Sequence, residues 1–431
     1  MQTLEQLKSG QLKGATQLKL SCGLTQFPKE IFELADTLEL LDLSFNSISQ
    51  LPDDFGRLTK LKIAFFSDNQ FIELPKVLSD CPVLEMIGFK SNKIASVSDK
   101  SIPATTRWLI LTNNQIPEIP VSIGKCERLQ KVAFAGNKLK TLPVEMANCK
   151  NLELLRISAN HFDELPQWLL QLPKLSWLAF SGNSFNSNQT IHDSFYTYAW
   201  KELELKEKLG EGASGIISRA VLTDYGHVKD VAVKVFKGEV TSDGLPHDEM
   251  LACIEAGNHE HIVNAIGKIS GHPEGKEGLL FELIPPDFKN LGMPPSFVTC
   301  TRDVFKDDLK FTIDEILKIA FGIASASDHL HSNGIMHGDL YAHNIMVNSK
   351  AYALFGDFGA ATIYDRNSDI AAQLERLDVR AYGCLLDDLL ARVIEEDKKK
   401  EITLTLQILQ RQCTAENIAM RPDFKKILSY F

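Results

Sequence analysis

The stretch His337-Gly338-Asp339-Leu340-Tyr341-Ala342-His343-Asn344 sets a carboxylate, an amide and two imidazoles within eight residues. Thirteen residues after Asn344 stands Asp357, inside Phe355-Gly356-Asp357-Phe358-Gly359. One carboxylate beside a hydroxyl can accept or orient its proton. A second carboxylate with an amide oxygen suits a hard cation such as magnesium, which binds oxygen and keeps places for water and phosphate. Far upstream, Gly210, Gly212 and Gly215 read G-x-G-x-x-G. Glycines let a backbone turn tightly and approach phosphates closely. Lys234 ends the apolar run Val231-Ala232-Val233, where an amine is costly unless it is paired.

These residues need elements to hold them. A dinucleotide fingerprint uses the same glycine letters but requires a helix straight after the last one. Here the following residues, Ile216-Ile217-Ser218-Arg219-Ala220-Val221, are strand-like, and so are Asp230 to Phe236. Two strands joined by a glycine turn predict a hairpin, with Lys234 on the next strand. The carboxylate partner of Lys234 is expected on the helix that follows, at Glu249, with Glu255 as the alternative.

With these motifs in this order, residues 201–431 resemble the protein kinase family. The resemblance implies that Asp339 accepts or orients the hydroxyl proton and that Asn344 and Asp357 hold Mg2+. Lys234 would contact the α and β phosphates of ATP and pair with Glu249. Ala232 and Met346 would sandwich the adenine, with Leu209 and Ile217 beside the glycine cradle of Gly210, Gly212 and Gly215. Glu282 and Ile284 would supply hinge backbone contacts, with Phe281 behind them as gatekeeper. His337 and Phe358 would be packing residues, and Arg421, in Arg421-Pro422-Asp423-Phe424, the family's buried arginine. With lysine, base and metal ligand all present, the resemblance implies an active phosphotransferase and not a degraded scaffold.

The pattern also departs from the family. Gly338 stands where an Arg usually pairs with a phosphorylated activation loop, so that phosphorylation is not expected to be the switch. Tyr341 stands where a Lys would face the transferring phosphate, and His343 is a candidate substitute when charged. Only 21 residues separate Asp357 from Asp378, and no A-P-E motif lies between them. Arg421 therefore lacks its usual carboxylate, for which Glu375 is the candidate replacement. A short segment after H-G-D-L also occurs in small-molecule phosphotransferases of the kinase-like superfamily, which supplies the alternative reading.

The first half is a repeat. Leu38, Leu61, Leu129 and Leu152 each open an L-x-x-L-x-L-x-x-N-x-L pattern. The asparagines are Asn46, Asn69, Asn92, Asn114, Asn137, Asn160 and Asn183, 23 residues apart with a single step of 22. A degenerate first repeat near Ala15 makes eight. This half resembles the leucine-rich repeat family, where strands stack in parallel to bury a continuous core and the Asn is structural. On the concave side, Leu40, Ile63, Phe65, Met86, Trp108, Ile110, Leu154 and Trp177 are unusually apolar, interrupted by Gly88, Lys131 and Arg156. Such a face suggests a docking surface for a protein substrate or regulator. The alternative is that the chain's own second domain covers it.

The fold class expected is α/β followed by α+β, a leucine-rich repeat solenoid before a bilobal kinase-like domain. The boundaries are 1–186 for the repeats, 187–200 for a linker and 201–431 for the kinase-like domain. A formal charge of −10 argues against a nucleic-acid surface. The eight cysteines form no C-x-x-C pair. Cys81, Cys126 and Cys149 each precede a repeat's opening Leu by three residues, which predicts small buried thiols. No apolar run reaches membrane-spanning length and the first residues lack a signal-peptide core. A soluble, cytoplasmic protein is expected. The pairs His259/His261 and His329/His331 are read as loop and helix-end residues, not zinc ligands.

Overall fold

The computed structural model describes residues 2–186, 195–212, 214–238 and 240–431. Two compact units emerge: Met1–Leu172 with Asn183–Phe185, and Pro173–Gly182 with Asn186–Phe431.

The first unit opens with a short helix, α1 (Leu4–Lys8), closed by a Thr3 capping box. Seven three-residue strands follow: β1 (Gln17–Lys19), β2 (Leu40–Asp42), β3 (Ile63–Phe65), β4 (Met86–Gly88), β5 (Trp108–Ile110), β6 (Lys131–Ala133) and β7 (Leu154–Arg156). Each pairs in parallel with the next, so Leu18, Leu41, Ala64, Ile87, Leu109, Val132 and Leu155 form one buried row. The chain returns through 3-10 turns, several of which start after a proline: Pro28, Pro75, Pro120, Pro143 and Pro166. Proline suits that place because its φ is preset and its missing N–H would have had no partner.

The repeated Asn ties each repeat to the one before. Asn137 Oδ1 accepts from Ile116 N at 3.0 Å while its Nδ2 donates to Leu111 O and Phe134 O, both at 2.9 Å. Asn46, Asn69, Asn92, Asn114, Asn160 and Asn183 do the same one period away. Burial pushes the Cys81 and Cys126 thiols up to about 12 and Cys149 up to about 11, as inert packing groups. All eight cysteines are free.

The second unit contains β8 (Trp177–Ala179) and β9 (Thr197–Ala199), then β10 (Leu203–Glu211), β11 (Gly215–Asp224), β12 (His227–Phe236), α2 (Pro246–Glu255), β13 (Ala265–Ser270) and β14 (Gly278–Glu282). Their six-stranded sheet runs β10-β11-β12-β14-β13-β9. Further along come β15 (Lys289–Asn290), α3 (Ile313–Ser332), β16 (Ile335–Met336), β17 (Ile345–Val347), β18 (Ala353–Phe355) and β19 (Thr362–Ile363), then α4 (Ala371–Leu390), α5 (Glu401–Cys413) and α6 (Phe424–Leu428). The mostly β part and the helical part are the two lobes expected from the sequence.

Two segments differ from the sequence boundaries. Thr197–Ala199, read as linker, is an edge strand in parallel register with Lys268–Ser270. Residues 187–194 of that linker lie outside the described residues. Pro173–Gly182, read as repeat, supplies β8, the eighth strand of the parallel repeat sheet, and falls within the second unit. The proposed concave face is also corrected in three places, the first being Leu154, which is buried. Trp177 is buried at 1% exposure, and so is Met86, whose strand neighbours in register are Ile63 and Trp108. Phe65, Trp108 and Ile110 remain half-buried. The Trp108 ring meets Phe65 edge-on and carries Lys131 Nζ at 4.4 Å from its centroid.

Candidate active site

The glycine motif is the turn of the β10–β11 hairpin, closed by Gly212 N donating to Gly215 O at 3.0 Å. A Cβ on Gly210 or Gly212 would meet nothing within 4 Å, so their backbone is open to a ligand. Gly215 is the opposite case. A Cβ there would stand 2.7 Å from Val235 O and 3.3 Å from two carbons of Lys234, so only glycine lets the loop lie on that side chain.

Lys234 sits between β11 and β14, opposite Ile217 and Leu279. Its amine pairs with Glu249 of α2, and both side chains are buried. Glu255, the alternative, is the last residue of α2 and half-buried. Burial alone would lower the Lys234 pKa, but the carboxylates of Glu249 and Asp357 outweigh it and hold the amine charged. Asp357 is exposed and has φ +57°. A Cβ on Gly359 would lie 3.2 Å from Asp357 Oδ1 and 3.9 Å from Glu249 Oε2, which sets these carboxylates on one small neighbourhood.

Asp339 and Asn344 are joined directly. Asn344 Nδ2 donates to Asp339 Oδ2 at 2.8 Å and to Asp339 O at 3.0 Å. Asn344 O accepts from Gly356 N at 3.0 Å, which links this loop to the one carrying Asp357. His337 stacks on Phe355 at 3.9 Å, lies 5.2 Å from the Phe358 ring and bonds through Nε2 to Gly356 O. Asp378 of α4 accepts from His337 N at 2.8 Å and Gly338 N at 3.1 Å and faces His331 Nε2 at 3.0 Å. A buried carboxylate taking two backbone N–H groups fixes the loop from below.

The remaining sequence-predicted residues are distributed around the hairpin and the strands. Ala232 pairs with Phe281 and is buried. Ile217 and Met346 are half-buried, and Leu209 is exposed. Glu282 ends β14 with its side chain exposed and bonded to Lys229, and Ile284 follows in the loop, half-buried.

A family model described as protein tyrosine and serine/threonine kinase matches residues 203–382, and a leucine-rich repeat model matches residues 37–58. The chain carries leucine-rich repeats and a protein kinase domain. Its curated relatives include the tyrosine-protein kinase receptor TYRO3 of Gallus gallus, 28% identical over 37% of this chain and 18% of that protein. The serine/threonine-protein kinase STY17 of Arabidopsis thaliana is 22% identical over 53% of this chain and 44% of its own length. The chain thus spans less than half the length of either relative. A solved leucine-rich repeat protein of Leptospira interrogans is 30% identical over 41% of this chain and 45% of that one, at a TM-score of 0.39.

Within the kinase domain the donor set fits ATP and magnesium. An exposed carboxylate and an amide are the hard oxygen ligands that magnesium takes while leaving further positions to phosphate. The open glycine backbone and the charged Lys234 are complementary to phosphate. His343 is held differently from what the sequence suggested. Its Nδ1 meets Asp303 Oδ1 at 2.7 Å and its N–H donates to Asp303 Oδ2 at 3.1 Å. Burial pulls its pKa down, but Asp303, Asp339 and Asp357 together raise it above the ordinary value. It is therefore engaged with Asp303 whatever else it does.

The expected Arg421–Glu375 pair is absent, which corrects that reading. Arg421 donates to three carbonyls, Ala415 O, Arg376 O and Pro173 O, at 2.9, 3.0 and 2.7 Å. Glu375 accepts instead from Phe424 N at 2.8 Å. Backbone oxygens satisfy the guanidinium without a second buried charge. Sequence reasoning missed Asp303, which sits in no motif. At Trp177 the alternative reading of the apolar face, cover by the chain's own second half, is the one that holds, with Tyr341 as its partner.

The histidine pairs are bonded one by one. His259 Nε2 meets Ser325 Oγ, His261 Nδ1 meets Ala353 O and His329 Nε2 meets Ala256 O.

Proposed function

We propose that the chain is an ATP- and Mg2+-dependent protein kinase acting on Ser or Thr, with the repeats recruiting its substrate or regulator. The observation that carries this reading is the closed Lys234–Glu249 pair beside Asp357, together with the Asn344–Asp339 hydrogen bond. Phosphoryl transfer asks little covalent work of a protein; it asks for charge stabilisation and in-line positioning.

In this reading Lys234 binds phosphate and Glu249 holds it in place. Gly210, Gly212 and Gly215 lie over the phosphates. Leu209, Ile217, Ala232 and Met346 border the base, and the backbone of Glu282 and Ile284 reads its edge. Asn344 and Asp357 hold magnesium, which supplies charge neutralisation to the phosphates when bound. Asp339 orients the acceptor hydroxyl and takes its proton. Phe65, Trp108 and Ile110 form the recruiting face. The repeats end and the kinase domain begins within 173–200, and the free thiols suit the cytoplasm.

The short stretch between β19 and α4 keeps a small-molecule acceptor as the second reading. Labelled ATP with magnesium, offered with a protein mixture and with a pool of small hydroxyl metabolites, separates the two. Label in Ser or Thr of protein bands supports the kinase reading. Label in metabolites alone overturns it, and bound nucleotide with no transfer to any acceptor supports a scaffold. If the repeats recruit, Trp108→Ala lowers label in the captured partner while autophosphorylation survives.

A further inference from the structure

The three residues that flank Asp339 closely, Gly338, Leu340 and Tyr341, all meet the same dipeptide, Trp177-Leu178. The Trp177 ring lies flat on Tyr341, 4.4 Å between centroids and 9° between planes. Trp177 Nε1 donates to Leu340 O at 3.0 Å. On the other side of Asp339, Gly338 has φ +69°, and a Cβ there would stand 2.4 Å from Leu178 O and 3.0 Å from Ala360 O. No residue but glycine fits that place, because both the left-handed backbone and the pressing carbonyl exclude a side chain. The absence of an Arg at 338 thus has a steric cause.

The segment making these contacts is itself anchored at several points. Arg380 of α4 donates to Ser176 Oγ at 2.6 Å and Arg421 donates to Pro173 O at 2.7 Å. Phe180 N donates to Thr362 Oγ1 at 3.4 Å, in the stretch that follows Asp357. One ten-residue segment therefore touches the catalytic loop, the activation segment, α4 and the closing motif.

We propose that Pro173–Gly182 is a built-in latch that positions Asp339 for transfer, with Trp177 as its central positioning residue, so that no phosphate on the activation segment is needed. The proposal rests on the kinase reading above. Its reason is geometric. Misplacing a reacting group by about 1 Å costs on the order of a hundredfold in rate. Trp177 restrains the loop by a ring face and a hydrogen bond at once, immediately after Asp339. The seated segment coexists with the closed Lys234–Glu249 pair and the Asn344–Asp339 bond, which is what a positioning element requires.

The test uses the full chain as wild type, Trp177→Phe and Trp177→Ala. It measures kcat and KM for ATP with a general protein acceptor, and hydrogen exchange of residues 337–344. The latch predicts that Trp177→Ala lowers kcat by about a hundredfold with KM for ATP within about threefold, and speeds exchange in that loop. Trp177→Phe keeps a stacking ring but loses the hydrogen bond to Leu340 O, so its kcat and its loop exchange fall between those of wild type and Trp177→Ala. Unchanged or raised kcat in folded Trp177→Ala overturns the latch, a rise identifying a brake instead. If Trp177→Ala does not fold, Trp177→Phe decides alone: a lower kcat with faster exchange supports the latch, and wild-type values in both overturn it. Wild type that transfers no phosphate overturns the kinase reading, and exchange then still decides whether Trp177 restrains the loop.

Discussion

In the first unit the buried polar group that recurs is an amide, one per repeat, each bonded to backbone of its own repeat and of the one before. Among the described residues of the second unit no such group recurs, and several of the buried ones carry charge: Lys234 with Glu249, Asp378 under the 337–344 loop, Arg421 among carbonyls. A neutral amide that finds its partners costs little to bury, and it can recur. A buried charge is tolerated only with partners, and removing one partner strands the other. One unit is thus a scaffold built by repetition, and the other concentrates electrostatic cost where transfer chemistry would use it.

Asp339→Ala is expected to have the largest effect on activity and a small one on stability. Transfer falls by on the order of a thousandfold, read by steady-state kinetics, with little change in unfolding. A variant with normal turnover would remove the functional side of the contrast. Lys234→Met strands the Glu249 carboxylate in the core. It should destabilise the second unit by about 3–5 kcal/mol and abolish transfer, while hydrogen exchange in the first unit stays as in wild type.

The reverse experiment is Asn137→Ala, which takes the acceptor from Ile116 N and one of two amide donors from Leu111 O and Phe134 O, Asn114 and Asn160 supplying the others. A cost of about 2–3 kcal/mol is expected, confined to exchange in the first unit, with Mg-ATP binding unchanged. Equal loosening of both units would dissolve the comparison.

The smallest effect concerns pH. Burial raises the Asp388 carboxyl to about 6 against the pull of Arg302. A folded pKa above the unfolded one favours folding while the proton is held, so this contribution is full below about pH 4 and lost as pH rises through 6. Asp388→Asn should remove a slope on the order of 2 kcal/mol across that window in the second unit. An identical slope in wild type and variant would contradict it.

The same contrast explains what the sequence made legible. A period of 23 residues repeats its own evidence, so the strands, the Asn roles and the buried Cys81, Cys126 and Cys149 could be read directly. In the second unit, the order of glycine loop, Lys234, Asp339, Asn344 and Asp357 carried the hairpin and the Lys234–Glu249 pair. Contacts made once across a long separation left no pattern. Trp177 meets Tyr341 and Arg421 reaches Pro173 O, so the apolar strand position looked like a docking face and the arginine looked unpaired. Asp303 was silent for the same reason, since His343 lies 40 residues away.

The most direct test offers labelled ATP to wild type and to Asp357→Ala across a magnesium titration, with a protein acceptor. The account predicts magnesium-dependent label on protein Ser or Thr with wild type and a loss of at least a hundredfold with Asp357→Ala. Equal transfer by both, or transfer by wild type without any divalent cation, would contradict it.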